Sequence, residues 1–98
     1  MIQHESRYLA YIRRQGVGRR DQVASSPASY VSYLNSVSCL LHDDISPVLL
    51  HSEEDIRRIA TELQGQRAAA TIRNYKSAMR QYVAMVNDEQ LLQGSSGA

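Results

Sequence analysis

The segment TIRNYKSAMRQYVAMV, residues 71–86, has the strongest periodicity in the chain. Its apolar residues recur at spacings of three and four, and in a helix they cover about a third of the circumference. These residues are Ile72, Tyr75, Met79, Tyr82, Val83 and Val86. The pattern predicts an amphipathic α-helix over residues 69–88 with this face buried in a core.

The same helix carries a row of cations beside its apolar face. Arg73, Lys76 and Arg80 are three and four residues apart, so they lie along one flank. Such a row can contact the phosphates of a nucleic acid. Solvated helices also carry lysine and arginine without any ligand, because long cationic stems can cover the edge of a core. The spacing alone leaves both interpretations open.

Two further helices are expected in the N-terminal half. The first covers residues 2–15, with Ile2, Tyr8, Leu9 and Ile12 inward, and Gly16 and Gly18 open the connector 16–25. The second begins at Ser26-Pro27. Serine can cap the helix, and proline suits the first helical position because the amide proton it lacks would have no partner in the helix. It should end near His42. Its expected inward face consists of Tyr30, Val31, Leu34, Val37, Ser38 and Leu41.

A short turn and a third helix are expected next. Ser46-Pro47 repeats the capping signal for a turn over residues 48–50, which we expect to plug the core. Ser52 then precedes three acids, a start that resembles a capping box and suits the positive end of the helix dipole. The third helix should cover residues 53–64 and stop at Gly65. Nothing is typical of a strand, so the predicted class is all-α.

Composition indicates one small domain without a membrane span. The 98 residues carry a net charge of +1, a single cysteine, and neither Trp nor Phe. We expect one helical domain over residues 1–90, a disordered polar tail over 91–98, and an aliphatic core with tyrosines at its rim. The absence of a signal peptide and of a long apolar run predicts a soluble cytoplasmic protein.

The charge is distributed unevenly along the chain. Residues 1–42 carry five arginines against two acids, residues 43–66 two arginines against six acids, and residues 67–98 four cations against two acids. Any attraction to nucleic acid must therefore come from local patches and not from the net charge.

Residues 26–86 resemble the core-binding (SAM-like) domain of phage integrases and other tyrosine recombinases. The segment ATIRNYKSAMRQYVAMV is similar to the last helix of that domain, through Thr71, Tyr75, Ala78, Met79, Arg80, Tyr82 and Val83. ASYVSYLNSV resembles its opening helix, and HSEEDIRRIATELQG the helix before the last hairpin. The pattern also resembles N-terminal helical modules of bacterial restriction-type nucleases.

The resemblance implies a compact four- to five-helix bundle of paired hairpins that binds duplex DNA without catalysis. It implies phosphate contacts from Arg67, Thr71, Arg73, Lys76 and Arg80, with Asn74 and Ser77 reaching phosphates or base edges, and a second contact region at Arg13, Arg14, Arg19 and Arg20. The chain would act as a dimer or beside a larger nuclease or recombinase partner. It lacks room for a recombinase catalytic domain.

The alternative is a protein-interaction module. In that case the acidic segment 43–62 and exposed Leu40, Leu91 and Leu92 would mediate self-association or hold a basic partner. Tyr11 and Tyr33, which lie off the apolar stripes, are candidates for exposed contacts with bases.

Catalytic and metal sites have weak signals in the sequence. Cys39 and His42 are one turn apart, but a lone cysteine on a helix rich in core residues is usually packed. The acids and histidines of residues 42–55 lack the regular spacing of metal ligands, and turn chemistry explains them. We therefore expect neither catalysis, nor a metal, nor a cofactor.

Overall fold

The computed structural model describes residues 1–15 and 27–91, which contain four α-helices and no strand beyond two isolated bridges. The helices are α1 (Glu5–Gln15), α2 (Pro27–Leu41), α3 (Glu53–Leu63) and α4 (Ala69–Asp88). The prediction of an all-α bundle is confirmed for this part of the chain. The ends of α2, α3 and α4 agree with the sequence prediction to within about one residue, the usual uncertainty of a helix boundary.

The first helix begins three residues later than predicted. Ile2 is buried in extended backbone and forms a bridge with Ile45. The Gln3 amide donates to the Ile45 carbonyl at 2.8 Å, and the Ile45 amide donates to the Met1 carbonyl at 2.9 Å. This pairing competes with helix formation because it satisfies the same backbone groups from a distant loop.

The last helix, α4, is the centre of the bundle. It packs against α1, α2 and α3, and α1 also packs against α2. Its predicted apolar stripe is buried, apart from Val83, which is half-buried. Ala78 and Met85 extend the buried face. The three other helices thus pack against α4, and the side of α4 that faces away from them is left to solvent.

Several tyrosines lie inside the core, so the general prediction that they stay at its rim is wrong, whereas the predicted inward positions of Tyr8, Tyr30 and Tyr82 are confirmed. Tyr8, Tyr30 and Tyr82 are fully buried, and the ring centroids of Tyr8 and Tyr82 are 5.6 Å apart. The Tyr8 hydroxyl donates to the Ala78 carbonyl at 2.8 Å, and the Tyr82 hydroxyl to the Gln3 carbonyl at 2.8 Å. Burial of the Tyr8 and Tyr82 hydroxyls is tolerated because each has a backbone acceptor.

Tyr11 and Tyr33 are not the exposed rings that the sequence predicted. Tyr11 is only 4 % exposed, and its hydroxyl donates to Asp88 Oδ2 at 2.6 Å. Tyr33 is half-buried, with its ring centroid 5.9 Å from that of Tyr30 and 6.2 Å from that of Tyr75. Both rings are used in packing, so stacking on nucleic-acid bases finds no support at these positions.

The start and end of α3 follow the predicted chemistry. The Ser52 hydroxyl accepts a hydrogen bond from the Asp55 amide at 3.3 Å, which confirms the N-cap. After Leu63 the chain makes a type II turn, closed by the Gln66 amide donating to the Leu63 carbonyl at 3.0 Å. Gly65 occupies the position of that turn that needs a positive φ, here 91°. Glycine therefore ends the helix at little steric cost.

The turn after Pro47 fills the core through one residue. The Ser46 hydroxyl accepts from the Leu49 amide at 3.2 Å, as expected for a cap. Leu50 is fully buried, whereas Val48 is 76 % exposed. The predicted plug is therefore Leu50, supported by half-buried Leu49.

Candidate nucleic-acid interface

Five of the predicted contact residues lie together on the outer face of α4. Arg73, Asn74, Lys76, Ser77 and Arg80 line one open depression along the helix. Arg73 and Arg80 are exposed, and the other three are half-buried. With a rise of about 1.5 Å per residue, the Cα atoms of Arg73 and Arg80 are about 10.5 Å apart along the axis. We call Arg73, Lys76 and Arg80 the α4 basic row.

Among the residues that the structure describes, no acidic side chain pairs with the α4 basic row. Within residues 1–15 and 27–91, none of its three side chains forms an ion pair. The sequence from residue 63 to residue 87 contains no Asp or Glu. The face therefore presents three positive charges whose hydrogen-bond donors are available to an anion.

The acids at the end of α4 are held by α1. Glu89 accepts from Arg7 at 3.0 Å and from Arg14 at 3.1 Å, while Asp88 accepts from Tyr11. Partial burial opposes ionisation of Glu89, but the hydrogen bonds and charges of the two arginines outweigh it and lower the pKa of that carboxyl. The two carboxylates at the end of α4 are thereby engaged by side chains of α1.

The N-terminal arginines are not gathered with the α4 basic row. Arg14 is engaged with Glu89 and lies 5.4 Å over the ring of Tyr11. Arg13 is exposed and borders a separate groove between α1 and α2. Arg19 and Arg20 lie outside the described residues. A second contact region that combines these four arginines therefore stays a prediction.

Arg67 and Thr71 also lie apart from the depression on α4. Arg67 is exposed in the α3–α4 loop and borders a different groove, on the outer face of α2. One of its guanidinium nitrogens, Nη1, donates to the Gln66 carbonyl at 2.7 Å. Thr71 is half-buried in the first turn of α4 and does not line the depression.

Asp55, in the acidic segment 43–62, has its carboxylate engaged by neighbouring residues. Asp55 is 7 % exposed and accepts from the His51 amide at 3.0 Å and from Arg58 Nη1 at 2.7 Å. Burial raises the pKa of this carboxyl, but those hydrogen bonds and the charges of His51 and Arg58 outweigh it, and the pKa is lowered. The sequence predicted the Ser52 cap but not these contacts of Asp55. The hydrogen bond from the His51 amide depends on the conformation of the turn before α3.

The surface required by a protein-interaction module is only partly present. Leu40 and Leu91 are half-buried and packed against the core, so the expectation that both are exposed is wrong. Leu92 lies outside the described residues. Glu53 and Glu54 are exposed, so an acidic surface does exist at the start of α3.

Within residues 1–15 and 27–91, no group of three or more histidine, cysteine, aspartate or glutamate side chains is placed to hold a metal ion. Cys39 is exposed on α2, and its carbonyl accepts a backbone hydrogen bond from the His42 amide at 3.3 Å. None of the helices in these ranges has the length and apolar character needed to cross a membrane.

Comparison of the chain with protein-family models, curated proteins and solved structures finds no match.

Proposed function

We propose that this chain is a non-catalytic DNA-binding domain that holds the phosphate backbone of duplex DNA on the outer face of α4. The observation that carries the proposal is the α4 basic row, three cations on one exposed helix face without an ion pair among the described residues. The resemblance of residues 26–86 to integrase core-binding domains supports the same ligand.

The donors on this face are of the kinds that bind phosphates. Arginine offers a planar fork that can donate two parallel hydrogen bonds to a phosphate, and lysine offers a point charge. Asn74 and Ser77 add short neutral donors beside the charges. Phosphate contacts of this kind fix the position of a duplex but carry no sequence information. We therefore infer binding with little sequence preference.

The length of the row matches a short stretch of duplex DNA. The distance of about 10.5 Å from Arg73 to Arg80 corresponds to about three base-pair steps of about 3.4 Å each along the duplex axis. A duplex whose axis runs parallel to α4 can therefore present phosphates within reach of the three cations.

Three phosphate contacts predict a definite response to salt. Each contact contributes about −0.9 to the slope of log affinity against log salt concentration on duplex DNA, which gives about −2.7 for the row. A fourfold increase in salt should then weaken binding about 40-fold. The net charge of +1 cannot produce such a response without a local patch.

Fluorescence anisotropy tests the proposal. Labelled random duplex and single-stranded DNA are titrated with the chain at about 50 and 200 mM salt. We expect binding of the duplex that weakens about 40-fold across this range, and weaker binding of the single strand. Absence of binding at the lower salt concentration would contradict the proposal and direct the search to a protein partner at the acidic start of α3.

A further inference from the structure

A second polar groove lies where the α3–α4 loop meets the outer face of α2. Its lining residues are Ser32, Asn35, Ser36, Cys39, Leu40 and Arg67. Ser32, Asn35 and Ser36 share one side of α2 because they are three and four residues apart. We call this feature the Arg67 groove. It is distinct from the depression on α4, since the two have no lining residue in common.

The Arg67 groove carries a single formal charge with neutral donors around it. Helix α2, residues 27–41, contains no charged residue, so Arg67 is the only charged side chain among the described residues that line the groove. Arg67 uses one guanidinium nitrogen on the Gln66 carbonyl and forms no ion pair within the described ranges. The remaining guanidinium N–H groups, two hydroxyls and one amide form a donor set suited to a singly charged anion.

We propose that the Arg67 groove binds a second segment of the phosphate backbone of the DNA held on α4. This inference rests on the proposed function, and it adds Ser32, Asn35 and Ser36 as contact residues. A phosphodiester carries one negative charge and oxygens that accept from arginine, hydroxyl and amide donors, which is the chemistry that lines the groove. The DNA then contacts two surfaces, the depression on α4 and the Arg67 groove.

Two substitutions separate the charged contact from the neutral one. Arg67→Ala should weaken DNA binding and reduce the magnitude of the salt slope by about 0.9, because one phosphate contact is lost. Asn35→Ala should weaken binding about three- to tenfold while leaving the slope unchanged, because a neutral donor releases no counterion. Arg57→Ala is the matched control, since Arg57 is an exposed arginine on α3 away from both surfaces. It should change neither the affinity nor the slope.

Cys39 provides a direct reporter of occupancy. It is the single cysteine of the chain, it is exposed, and it lines the Arg67 groove. The rate of its alkylation by N-ethylmaleimide, a neutral reagent that DNA does not repel, is followed by mass spectrometry with and without saturating duplex DNA. We expect DNA to slow the reaction at least several-fold in the original chain. Arg67→Ala should lose this protection even at DNA concentrations at which anisotropy shows it bound.

The outcomes distinguish this inference from the proposed function. DNA binding by anisotropy with an unchanged alkylation rate of Cys39 would overturn the inference and leave the α4 surface standing. Equal protection of Cys39 in the original chain and in Arg67→Ala would overturn it as well. Absence of any DNA binding at low salt would overturn both. Circular dichroism of each variant verifies that the helices are retained.

Discussion

Arg14 on α1 and Glu89 at the end of α4 form an ion pair, with 3.1 Å between Nη2 and Oε2. Arg7 holds the other oxygen of the same carboxylate at 3.0 Å. Two arginines of α1 thus share one carboxylate inside the chain, whereas Arg73 and Arg80 form no ion pair among the described residues. The distribution of paired and unpaired cations, more than their number, decides which of them are available to an anion.

Glu89→Gln is expected to strengthen DNA binding. The substitution removes the carboxylate that competes with phosphate for Arg7 and Arg14, so both arginines become available to the duplex. We expect a fewfold gain in affinity and a steeper salt slope, measured by anisotropy, as follows from additional phosphate contacts. Glu53→Gln is the control, because it makes the same change in charge at an exposed site that forms no ion pair among the described residues. Equal effects of the two substitutions would show that only net charge matters.

Stability should fall at acidic pH through Glu89 and Asp55. Both carboxyls have a lowered pKa in the folded chain, against ordinary values of 4.5 and 3.8. The stability they contribute is fully present above those ordinary values and is lost as the pH falls through the lower folded pKa values, because only the unfolded chain binds the protons readily. Thermal unfolding between about pH 6 and pH 2.5 measures this loss. Glu89→Gln should show a smaller loss than the original chain over the same window.

Tyr11 should make the fold sensitive to alkaline pH. Burial, then the hydrogen bond to Asp88 and the charge of that residue, raise the pKa of Tyr11 to about 12, against an ordinary value of 10.0. Its contribution to stability is complete below pH 10.0 and is lost as the pH rises through about 12, because the unfolded chain loses the proton first. The ultraviolet absorbance of tyrosinate, recorded beside circular dichroism, measures the effect.

Tyr11→Phe is the corresponding variant. We expect it to lower the free energy of unfolding at neutral pH by about 1 kcal/mol, because the hydrogen bond to Asp88 is lost at a partly buried site. It should also weaken the dependence of stability on alkaline pH. An unchanged alkaline transition would assign that transition to Tyr8 or Tyr82, whose burial also raises their pKa values.

His42→Gly is expected to stabilise the fold. His42 follows α2 with a φ of 57°, and the Asp43 amide donates to the Ser38 carbonyl at 3.2 Å, as in a Schellman motif. Glycine adopts this conformation without a steric penalty, so the free energy of unfolding should rise by about 0.5–1 kcal/mol in chemical denaturation. Ala10→Gly, at an exposed position inside α1, should instead lower it by about 1 kcal/mol. A loss of stability in His42→Gly would contradict the assigned C-cap.

Periodicity and capping predicted the helices well because both are local. The stripe of α4, the Ser52 cap and the stop at Gly65 each depend on residues within a few positions of one another. The start of α1 and the burial of Tyr11 were missed because their partners, Ile45 and Asp88, are distant in sequence. A stripe analysis of one helix cannot show that a side chain off the stripe meets an acceptor on another helix.

In the candidate site, too, local features were predicted and long-range contacts were not. The spacing of Arg73, Lys76 and Arg80 was sufficient to place them together on one face of α4. The sequence could not show that Arg14 is neutralised by Glu89, or that Arg67 lies against α2 and not beside the α4 basic row. Both facts depend on how the helices pack, and counting charges along the chain gives no information about packing.

The salt dependence of duplex binding by Arg73→Ala tests the central claim most directly, with Arg57→Ala as the matched control. Both substitutions remove one exposed arginine, so they change the net charge equally. If Arg73 contacts a phosphate, its removal should reduce the magnitude of the log–log slope by about 0.9, whereas Arg57→Ala should leave the slope unchanged. Identical slopes for the original chain and both variants would contradict phosphate binding on α4.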